Sequence, residues 1–287
     1  CVADSGVATQ VLHERAGAGL ANCRCNRCNA RMTMPRLTRL AITCLLVAGC
    51  SHAPQAPRNA LAEWVPSPNF DARRPVAIVI HATEQGSAEQ SLETLRTRNR
   101  GGPVSAHYLI GDDGRIYQLV GDGDRAWHAG AGRWGTITDL NSASIGIELD
   151  NEVGEAFTEE QIASLLRLLE DLTKRLSIPK AQVIGHADMA PTRKRDPGSL
   201  FPWQRLAEAG FGLWPQGELR DPPAGFDPWL AMAAIGYPLN DRAAAVRAFH
   251  RHYRGRDDGE DPQAAFDADD LRILHALAQQ RLLPVAR

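Results

Sequence analysis

Apolar and polar residues follow two different periods along this chain, and each period predicts a type of element. Val76–Ile80 is a continuous apolar run, which is typical of a strand buried on both faces. Ser144–Leu149 alternates instead, so that Glu148 is predicted to face away from its two apolar neighbours. Further short strands are predicted at His107–Ile110, Arg115–Val120 and Gln182–Gly185. The first two of these flank a turn, Gly111–Gly114, and therefore predict a hairpin.

Helices are marked by N-capping residues followed by apolar residues at helical spacing. Ser87 and Thr158 each begin a capping box, in which a Ser or Thr is followed three residues later by Gln. The second box precedes a long run of leucines at helical spacing, which Pro179 ends. Strands mixed with helices in this order predict an α/β fold over residues 65–214, with a mixed β-sheet flanked by helices.

The C-terminal part has a different composition. Residues 215–225 are rich in proline and glycine and are predicted to be a linker. Residues 226–287 are predicted to form a small three-helix domain, near the lower size limit for a self-sufficient core. The predicted N-caps of its helices are Asp227, Asn240 and Asp267. Three histidines are predicted to lie on the surfaces of these helices: His250, His252 and His275.

Composition and charge place the chain among ordinary globular proteins. Its 287 residues are 44% hydrophobic and 23% charged, and the formal net charge is -2. This charge gives no electrostatic reason to expect a nucleic-acid partner. Nothing in the sequence indicates an obligate dimer, so we expect a monomer.

The N-terminal segment has the pattern of a bacterial lipoprotein leader. Residues 32–50 contain a basic stretch, a short apolar stretch and then small residues, in the order of a secretory signal peptide. Its end resembles a lipobox, so Cys50 is the expected site of lipidation, and the acyl chains would anchor the protein to a membrane. A plain signal peptide with an incidental cysteine is the alternative. Ser51 and not Asp follows the cysteine, and the resemblance to lipoproteins then implies a location at the outer membrane, facing the periplasm.

Cysteine placement agrees with this division of the chain. All six cysteines lie at or before Cys50, so a disulfide framework is excluded for the folded part. The Cys23–Cys28 cluster lacks a second ligand pair at finger-like spacing, which disfavours a zinc knuckle. We expect residues 1–31 to be an upstream extension with no folded role, and residues 51–64 to be a flexible tether.

Two histidines that follow predicted strands, together with one aspartate, form the candidate chemistry. His81 follows the first apolar run, His186 follows the last strand, and the loop after His186 must fold Asp196 back towards it. Two imidazoles and one carboxylate can hold zinc and leave a fourth position open for water, which suits hydrolysis. Each of these residues alone is common in structural roles, and the combination is what predicts a metal site.

Two charged residues accompany these candidate ligands. In a partly desolvated site the pKa of Glu148 could rise enough for proton shuttling, whereas its alternative is a solvated carboxylate on a strand. Lys194 could stabilise an oxyanion, whereas its alternative is a surface cation in a basic triplet.

Several motifs then stand in the order seen in one enzyme family: His81, Ser105–Tyr108, Ala126–Gly130, Ser144–Leu149 and Gly185–Gly198. In these motifs the chain resembles the zinc-dependent N-acetylmuramoyl-L-alanine amidases of the amidase-2 family. The resemblance implies a Zn²⁺ cofactor held by His81, His186 and Asp196, with Glu148 and Lys194 as catalytic residues. It also implies a peptidoglycan or muropeptide substrate, cut between the N-acetylmuramoyl group and L-alanine.

The resemblance extends to outer-membrane lipoprotein amidases, because Gly236–Pro238 and Val246–Tyr253 resemble motifs of peptidoglycan-binding domains. Trp127 and His128 are candidates for contact with a sugar or a stem peptide, with core packing as the alternative; His107 is predicted to be structural or to support a ligand. Two rival functions are a non-catalytic peptidoglycan-recognition protein and a zinc peptidase that cuts another wall amide. The absence of a His-Glu-x-x-His motif disfavours the commonest zinc peptidases.

Overall fold

The computed structural model describes residues 59–72, 75–99, 102–152 and 154–282. The predicted signal peptide, Cys50 and most of the predicted tether lie outside the described residues. Within the ranges that are described, no helix is both long enough and apolar enough to cross a membrane.

A six-stranded mixed sheet carries the site. The described residues contain the strands of this sheet and of two small sheets: β1 (Glu63–Trp64), β2 (Phe70–Ala72), β3 (Ala77–Ala82), β4 (Arg98–Asn99), β5 (Gly102–Pro103), β6 (Tyr108–Ile110), β7 (Ile116–Gln118), β8 (Asp124–Ala126), β9 (Ser144–Leu149) and β10 (Val183–Gly185). The large sheet has the order β1-β7-β6-β9-β3-β10, and β2–β8 and β4–β5 form two small sheets. In the large sheet β6 and β7 are antiparallel and every other neighbouring pair is parallel. The predicted fold class and the predicted hairpin are both confirmed.

Helices cover both faces of this sheet. They are α1 (Ala88–Arg96), α2 (Leu140–Ala143), α3 (Glu159–Arg175), α4 (His186–Met189), α5 (Trp203–Glu208), α6 (Pro228–Ile235), α7 (Arg242–Arg254) and α8 (Ala268–Leu282). The predicted caps Ser87 and Thr158 accept hydrogen bonds from the backbone N–H of Gln90 and Gln161. Asp227 caps α6 as predicted. The predicted Asn240 cap is wrong by one residue, because the Asp241 side chain accepts from the backbone N–H of Ala244.

The two faces of the sheet bury different side chains, because successive residues of a strand point in opposite directions. Ile78 and Ile80 of β3 pack in one cluster with the leucines of α3. Val79 of β3 and Ile184 of β10 pack in another cluster with residues of α6, α7 and α8. The three C-terminal helices therefore share a hydrophobic core with the sheet. Each fully buried Leu or Ile in such a core contributes about 1.5–3 kcal/mol.

This shared core overturns one prediction about the C-terminal helices. His250 and His252, predicted as surface residues, are buried at 1% and 6% exposure, whereas His275 is half-buried. Each buried ring contacts a buried carboxylate: His250 contacts Asp270, and His252 contacts Asp188. A buried polar ring is stable only with such partners, which lie far away in the sequence.

Candidate active site

Parallel strand pairing brings the candidate ligands together at one end of the sheet. His81 is the fifth residue of β3 and lies opposite Glu148 of β9, while Gly185 of β10 pairs with Ile80. The prediction placed His81 just past its strand, but β9 pairs with β3 through Ala82, so the strand includes it. His186 follows Gly185 directly and begins α4. The carboxyl ends of three neighbouring strands thus hold the two histidines and Glu148 side by side.

Asp196 returns to the histidines through a short turn. The chain passes through α4 and a further turn, and the backbone N–H of Ala187 donates to the carbonyl oxygen of Asp196 at 2.9 Å. Asp196 Oδ2 then lies 3.0 Å from His186 Nδ1 and 3.2 Å from His81 Nδ1. The two Nδ1 atoms are 2.9 Å apart. These three buried residues, called here the ligand cluster, have ligand atoms within 4.8 Å of one another and could hold a metal ion.

The outer nitrogen of each histidine indicates which ring atom carries the proton. His186 Nε2 lies 2.9 Å from the carbonyl oxygen of Ala129, which can only accept, so Nε2 carries a hydrogen and donates. His81 Nε2 lies 3.0 Å from Nδ1 of His128. With both Nε2 atoms as donors, the neutral rings present Nδ1 lone pairs to the centre of the ligand cluster. This is the arrangement in which histidine binds a metal.

The pKa shifts agree with this arrangement. Burial and the neighbouring His186 lower the pKa of His81 to about 4, so its ring is neutral at neutral pH and one ring nitrogen offers a lone pair. Burial alone would raise the pKa of Asp196. Positive charge on His186 and His81 would hold that pKa well below its usual range, and a bound cation would take this role when both rings are neutral. A carboxylate and an unprotonated imidazole therefore face each other in a nearly dry site.

Glu148 and Lys194 lie beside the ligand cluster. Glu148 Oε1 is 4.0 Å from His81 Nδ1, and the Glu148 side chain is 13% exposed. Burial, then the charge of Asp196, raises the pKa of Glu148 to about 8, although the Lys194 ammonium opposes the shift. The backbone N–H of Lys194 donates to Ala190 at 2.9 Å, which fixes this residue on the turn that returns Asp196.

A cleft of about 700 Å³ opens above these five residues. All of the predicted site residues within the described chain line it: His81, Trp127, His128, Glu148, His186, Lys194 and Asp196. A second cleft, of about 910 Å³, shares Ala82, Glu84 and Asp196 with the first. Arg251 of α7 and Asp257 also line this second cleft, so the C-terminal part borders the space next to the ligand cluster.

The sequence predictions missed several polar residues around the site. Arg193 Nη2 donates to the same Ala129 oxygen as His186, at 2.6 Å. Ser105 Oγ accepts from the backbone N–H of Trp127 at 2.9 Å. Gly146 makes room for His128, because a Cβ on Gly146 would lie 2.4 Å from His128 Cγ. A glycine inside a buried strand was the one available signal of such a close approach. His107, predicted as structural or supporting, is fully buried and accepts from the Gly146 N–H at 2.9 Å.

Comparison with known proteins identifies a family for this arrangement. Residues 71–199 match a family described as N-acetylmuramoyl-L-alanine amidase, Amidase_2. The N-acetylmuramoyl-L-alanine amidase AmiD of Escherichia coli is 37% identical over 209 residues, which cover 64% of this chain and 72% of AmiD. The 1,6-anhydro-N-acetylmuramyl-L-alanine amidase AmpD of the same organism is 35% identical over 167 residues, 50% of this chain and 90% of AmpD.

Solved structures give the same result for the fold. Escherichia coli AmiD, in complex with the substrate anhydro-N-acetylmuramic acid-L-Ala-D-γ-Glu-L-Lys, superposes with a TM-score of 0.62 and 33% identity, covering 78% of this chain and 93% of AmiD. AmpDh3 of Pseudomonas aeruginosa, in complex with an anhydromuramic pentapeptide, superposes with a TM-score of 0.63 and 30% identity, covering 79% of this chain and 99% of AmpDh3.

Proposed function

The chain belongs to the Amidase_2 family of N-acetylmuramoyl-L-alanine amidases, and we propose that it uses a zinc ion to hydrolyse the amide between N-acetylmuramoyl groups and L-alanine of peptidoglycan stem peptides or muropeptides. The family confirms the predicted enzyme class. The observation that carries the mechanism is the ligand cluster itself, with Glu148 and Lys194 in the same cleft.

The donor set fits zinc. Two imidazole nitrogens and one carboxylate oxygen are a common set of zinc ligands. At zinc–ligand distances of about 2.0–2.1 Å, tetrahedral ligand atoms lie about 3.3 Å apart, close to the 2.9–3.2 Å between these atoms. Three protein ligands would leave a fourth coordination position open, and the ligand cluster lines the cleft from which a water molecule could reach it. A zinc ion there would supply a Lewis acid and would lower the pKa of a water molecule.

Glu148 is the proposed proton carrier of the reaction. Its carboxylate is held beside the ligand cluster by the pairing of β9 with β3, so it can accept a proton from the attacking water. A pKa near the working pH is what a group needs in order to take a proton and then give it up. The pKa of about 8 that burial produces meets this requirement. Glu148 then delivers the proton to the leaving amine of L-alanine.

Lys194 is the proposed stabiliser of the oxyanion. Its ammonium lies in the same cleft and is close enough to Glu148 and His81 to lower the pKa of both groups. A fixed positive charge in a partly dry cleft stabilises the negative charge that develops on the carbonyl oxygen. Trp127 and His128 line the cleft and are proposed to contact the sugar or the stem peptide.

A product analysis tests this function against its rivals. Purified sacculi are incubated with the full chain, with and without a chelator, and the soluble products are identified by mass spectrometry. An amidase releases stem peptides that begin with L-alanine, and only without the chelator. Cut peptides would indicate the zinc peptidase, and no release at all would indicate the recognition protein; either result would contradict the proposal.

A variant of Glu148 tests the proposed proton transfer. Glu148→Gln keeps the size of the side chain but cannot accept the proton, so turnover should fall by about 10²–10⁴-fold while zinc binding is retained. The matched control is Glu160→Gln, an exposed acidic residue of α3 that lines neither cleft. Near-normal turnover of Glu148→Gln would exclude this role.

We also propose that residues 226–287 hold peptidoglycan beside the active site. The support is the second cleft, in which Arg251 and Asp257 of this part face residues next to the ligand cluster. Asp257→Ala should raise the KM for sacculi severalfold and leave kcat nearly unchanged, as steady-state rates would show. An unchanged KM would argue that this part has no contact with the polymer.

The proposed location follows from the predicted leader. A lipid anchor at Cys50 would keep the enzyme in the bacterial envelope, where peptidoglycan is found. Mass spectrometry of the mature N-terminus, after expression of the full chain in a Gram-negative host, would identify acyl chains on Cys50. An unmodified cysteine would contradict the anchor.

A further inference from the structure

The outer nitrogens of the two histidine ligands meet neighbouring residues of one short segment. His81 Nε2 lies 3.0 Å from Nδ1 of His128, and His186 Nε2 lies 2.9 Å from the carbonyl oxygen of Ala129. His128 and Ala129 follow β8, so a single piece of chain faces both ligands. A shift of this segment would therefore change the support of both rings at once.

The Asn141 side chain accepts two adjacent backbone hydrogen bonds from the segment. Asn141 Oδ1 of α2 accepts from the backbone N–H of His128 at 3.0 Å and from the backbone N–H of Ala129 at 2.8 Å. Asn141 is itself on a helix that is capped by Asp139, whose side chain accepts from the backbone N–H of Ser142. Two hydrogen bonds from adjacent amides to one oxygen fix the direction of the intervening backbone.

Gly146 and Ser144 define the position of the His128 ring. It lies against Gly146, where any side chain would collide with it. Its Nε2 is 3.5 Å from Ser144 Oγ, and that hydroxyl donates to the carbonyl oxygen of Leu140 at 2.6 Å. The Ser144 oxygen can therefore accept from His128 Nε2–H, which leaves His128 Nδ1 to accept from His81.

We propose that Asn141 is the positioning residue of this metal site: it fixes residues 128 and 129, and they set both histidine ligands with Nε2 protonated and Nδ1 towards the metal. Removing a residue that hydrogen-bonds to a metal ligand commonly lowers metal affinity about 10–100-fold. The inference rests on the proposed zinc site for its effect on metal binding. Its effect on the protonation of the rings is independent of any metal.

The test uses the full chain without metal and then with zinc. Long-range ¹H–¹⁵N NMR of the metal-free protein at pH 7.5 should show a proton on Nε2 of both His81 and His186. In Asn141→Ala both rings should become mixtures of the Nε2-protonated and Nδ1-protonated tautomers. Zinc affinity, measured by competition with a chromophoric chelator, should fall about tenfold. Asn141→Asp keeps an accepting oxygen and should restore both properties.

Two further variants separate positioning from a general loss of stability. His128→Phe removes the Nδ1 acceptor of His81, together with the Nε2 contact to Ser144, but keeps the backbone N–H that Asn141 accepts. It should therefore disturb His81 and leave His186 unchanged. Asn59→Ala is the matched control, because Asn59 Oδ1 also accepts a backbone N–H, from Leu61, but lies outside both clefts. It should leave both rings and zinc affinity as they are in the wild-type protein.

The outcomes are decisive in both directions. Wild-type spectra for Asn141→Ala, or an equal loss in Asn59→Ala, would overturn the proposal. If the wild-type protein binds no zinc but its rings are protonated on Nε2 and respond to Asn141→Ala, the proposed zinc function fails and the positioning role of Asn141 stands.

Discussion

Two buried carboxylates, Asp188 within α4 and Asp196 on the turn that follows it, show opposite kinds of hydrogen bonding. Asp188 accepts three hydrogen bonds at 2.7 Å each, from the Gly185 N–H, the Tyr237 hydroxyl and His252 Nδ1. These four residues are called here the Asp188 cluster. Asp196 belongs to the ligand cluster, where its Oδ2 faces two Nδ1 atoms whose rings already donate through Nε2.

The difference lies in the balance of donors and acceptors. In the Asp188 cluster every donor points at an acceptor, and burial, with the charge of Asp188, keeps the Tyr237 pKa well above its usual value, so its proton stays in place. In the ligand cluster lone pairs point at lone pairs, which is unfavourable unless a cation lies between them. The first cluster is complete without a ligand, and the second is arranged for one. Two buried carboxylates close together in the chain therefore have opposite hydrogen-bonding environments.

The largest expected effect is on zinc affinity, when one residue of the ligand cluster is replaced. Asp196→Asn removes the anionic ligand, and zinc affinity should fall on the order of a thousandfold, a loss of about 4 kcal/mol from a typical structural-zinc binding energy. The free energy of unfolding of the metal-free protein should change by less than about 1 kcal/mol, because no donor loses its acceptor. Chelator competition and urea unfolding measure the two quantities. A large loss of metal-free stability would show that Asp196 is structural.

The matching change in the other cluster should have the reverse result. Asp188→Asn offers one oxygen and one NH₂ group to three donors, so the free energy of unfolding should fall by about 3 kcal/mol. Folded Asp188→Asn should still bind zinc within about tenfold of the wild-type affinity, because Asp188 does not face the metal position. Urea unfolding without metal measures the first effect. If affinity fell as far as in Asp196→Asn, the two clusters would not be separable.

Zinc should stabilise only those proteins in which the ligand cluster is intact. Free zinc at 100 times its Kd should raise the free energy of unfolding by about 2.7 kcal/mol, because only the folded state binds it at one site. The increase is expected in the wild-type protein and in Asp188→Asn, measured relative to each metal-free baseline. At the same zinc concentration Asp196→Asn should show almost no increase. An equal increase in all three proteins would place the metal somewhere other than the ligand cluster.

The ligand cluster was largely predictable from the sequence, and the Asp188 cluster was not. His81 and His186 lie at the ends of strands whose apolar patterns are plain, Asp196 lies on the turn that follows α4, and the motifs around all three are family motifs. By contrast, Asp188 and its partners Tyr237 and His252 are 49 and 64 residues apart in the sequence. The spacing of apolar residues along the chain does not indicate such distant pairs, and His252 was therefore predicted to lie on the surface.

The same limit explains the missed parts of the fold. The strands β1, β2, β4 and β8 are two or three residues long, and α4 has four residues, which is too short for a period to be recognised. Asn141 gave no signal either, because its two hydrogen bonds are with a loop 12 and 13 residues earlier. Long, strongly patterned elements were predicted well, whereas short elements depend on tertiary contacts that a single sequence does not display.

The smallest expected effect tests whether the Asp188 cluster is a sum of separate hydrogen bonds. Tyr237→Phe removes one donor and leaves the ring in place, so the free energy of unfolding should fall by about 1 kcal/mol, which is typical of a single hydrogen bond to a buried acceptor. The control is Tyr117→Phe, because the Tyr117 hydroxyl accepts from the partly exposed Arg115 at 3.2 Å and its loss should cost less. Urea unfolding of the metal-free proteins measures both. A loss for Tyr237→Phe as large as that for Asp188→Asn would mean that the three donors act together, and that the C-terminal helices support the turn of His186 as one cooperative unit.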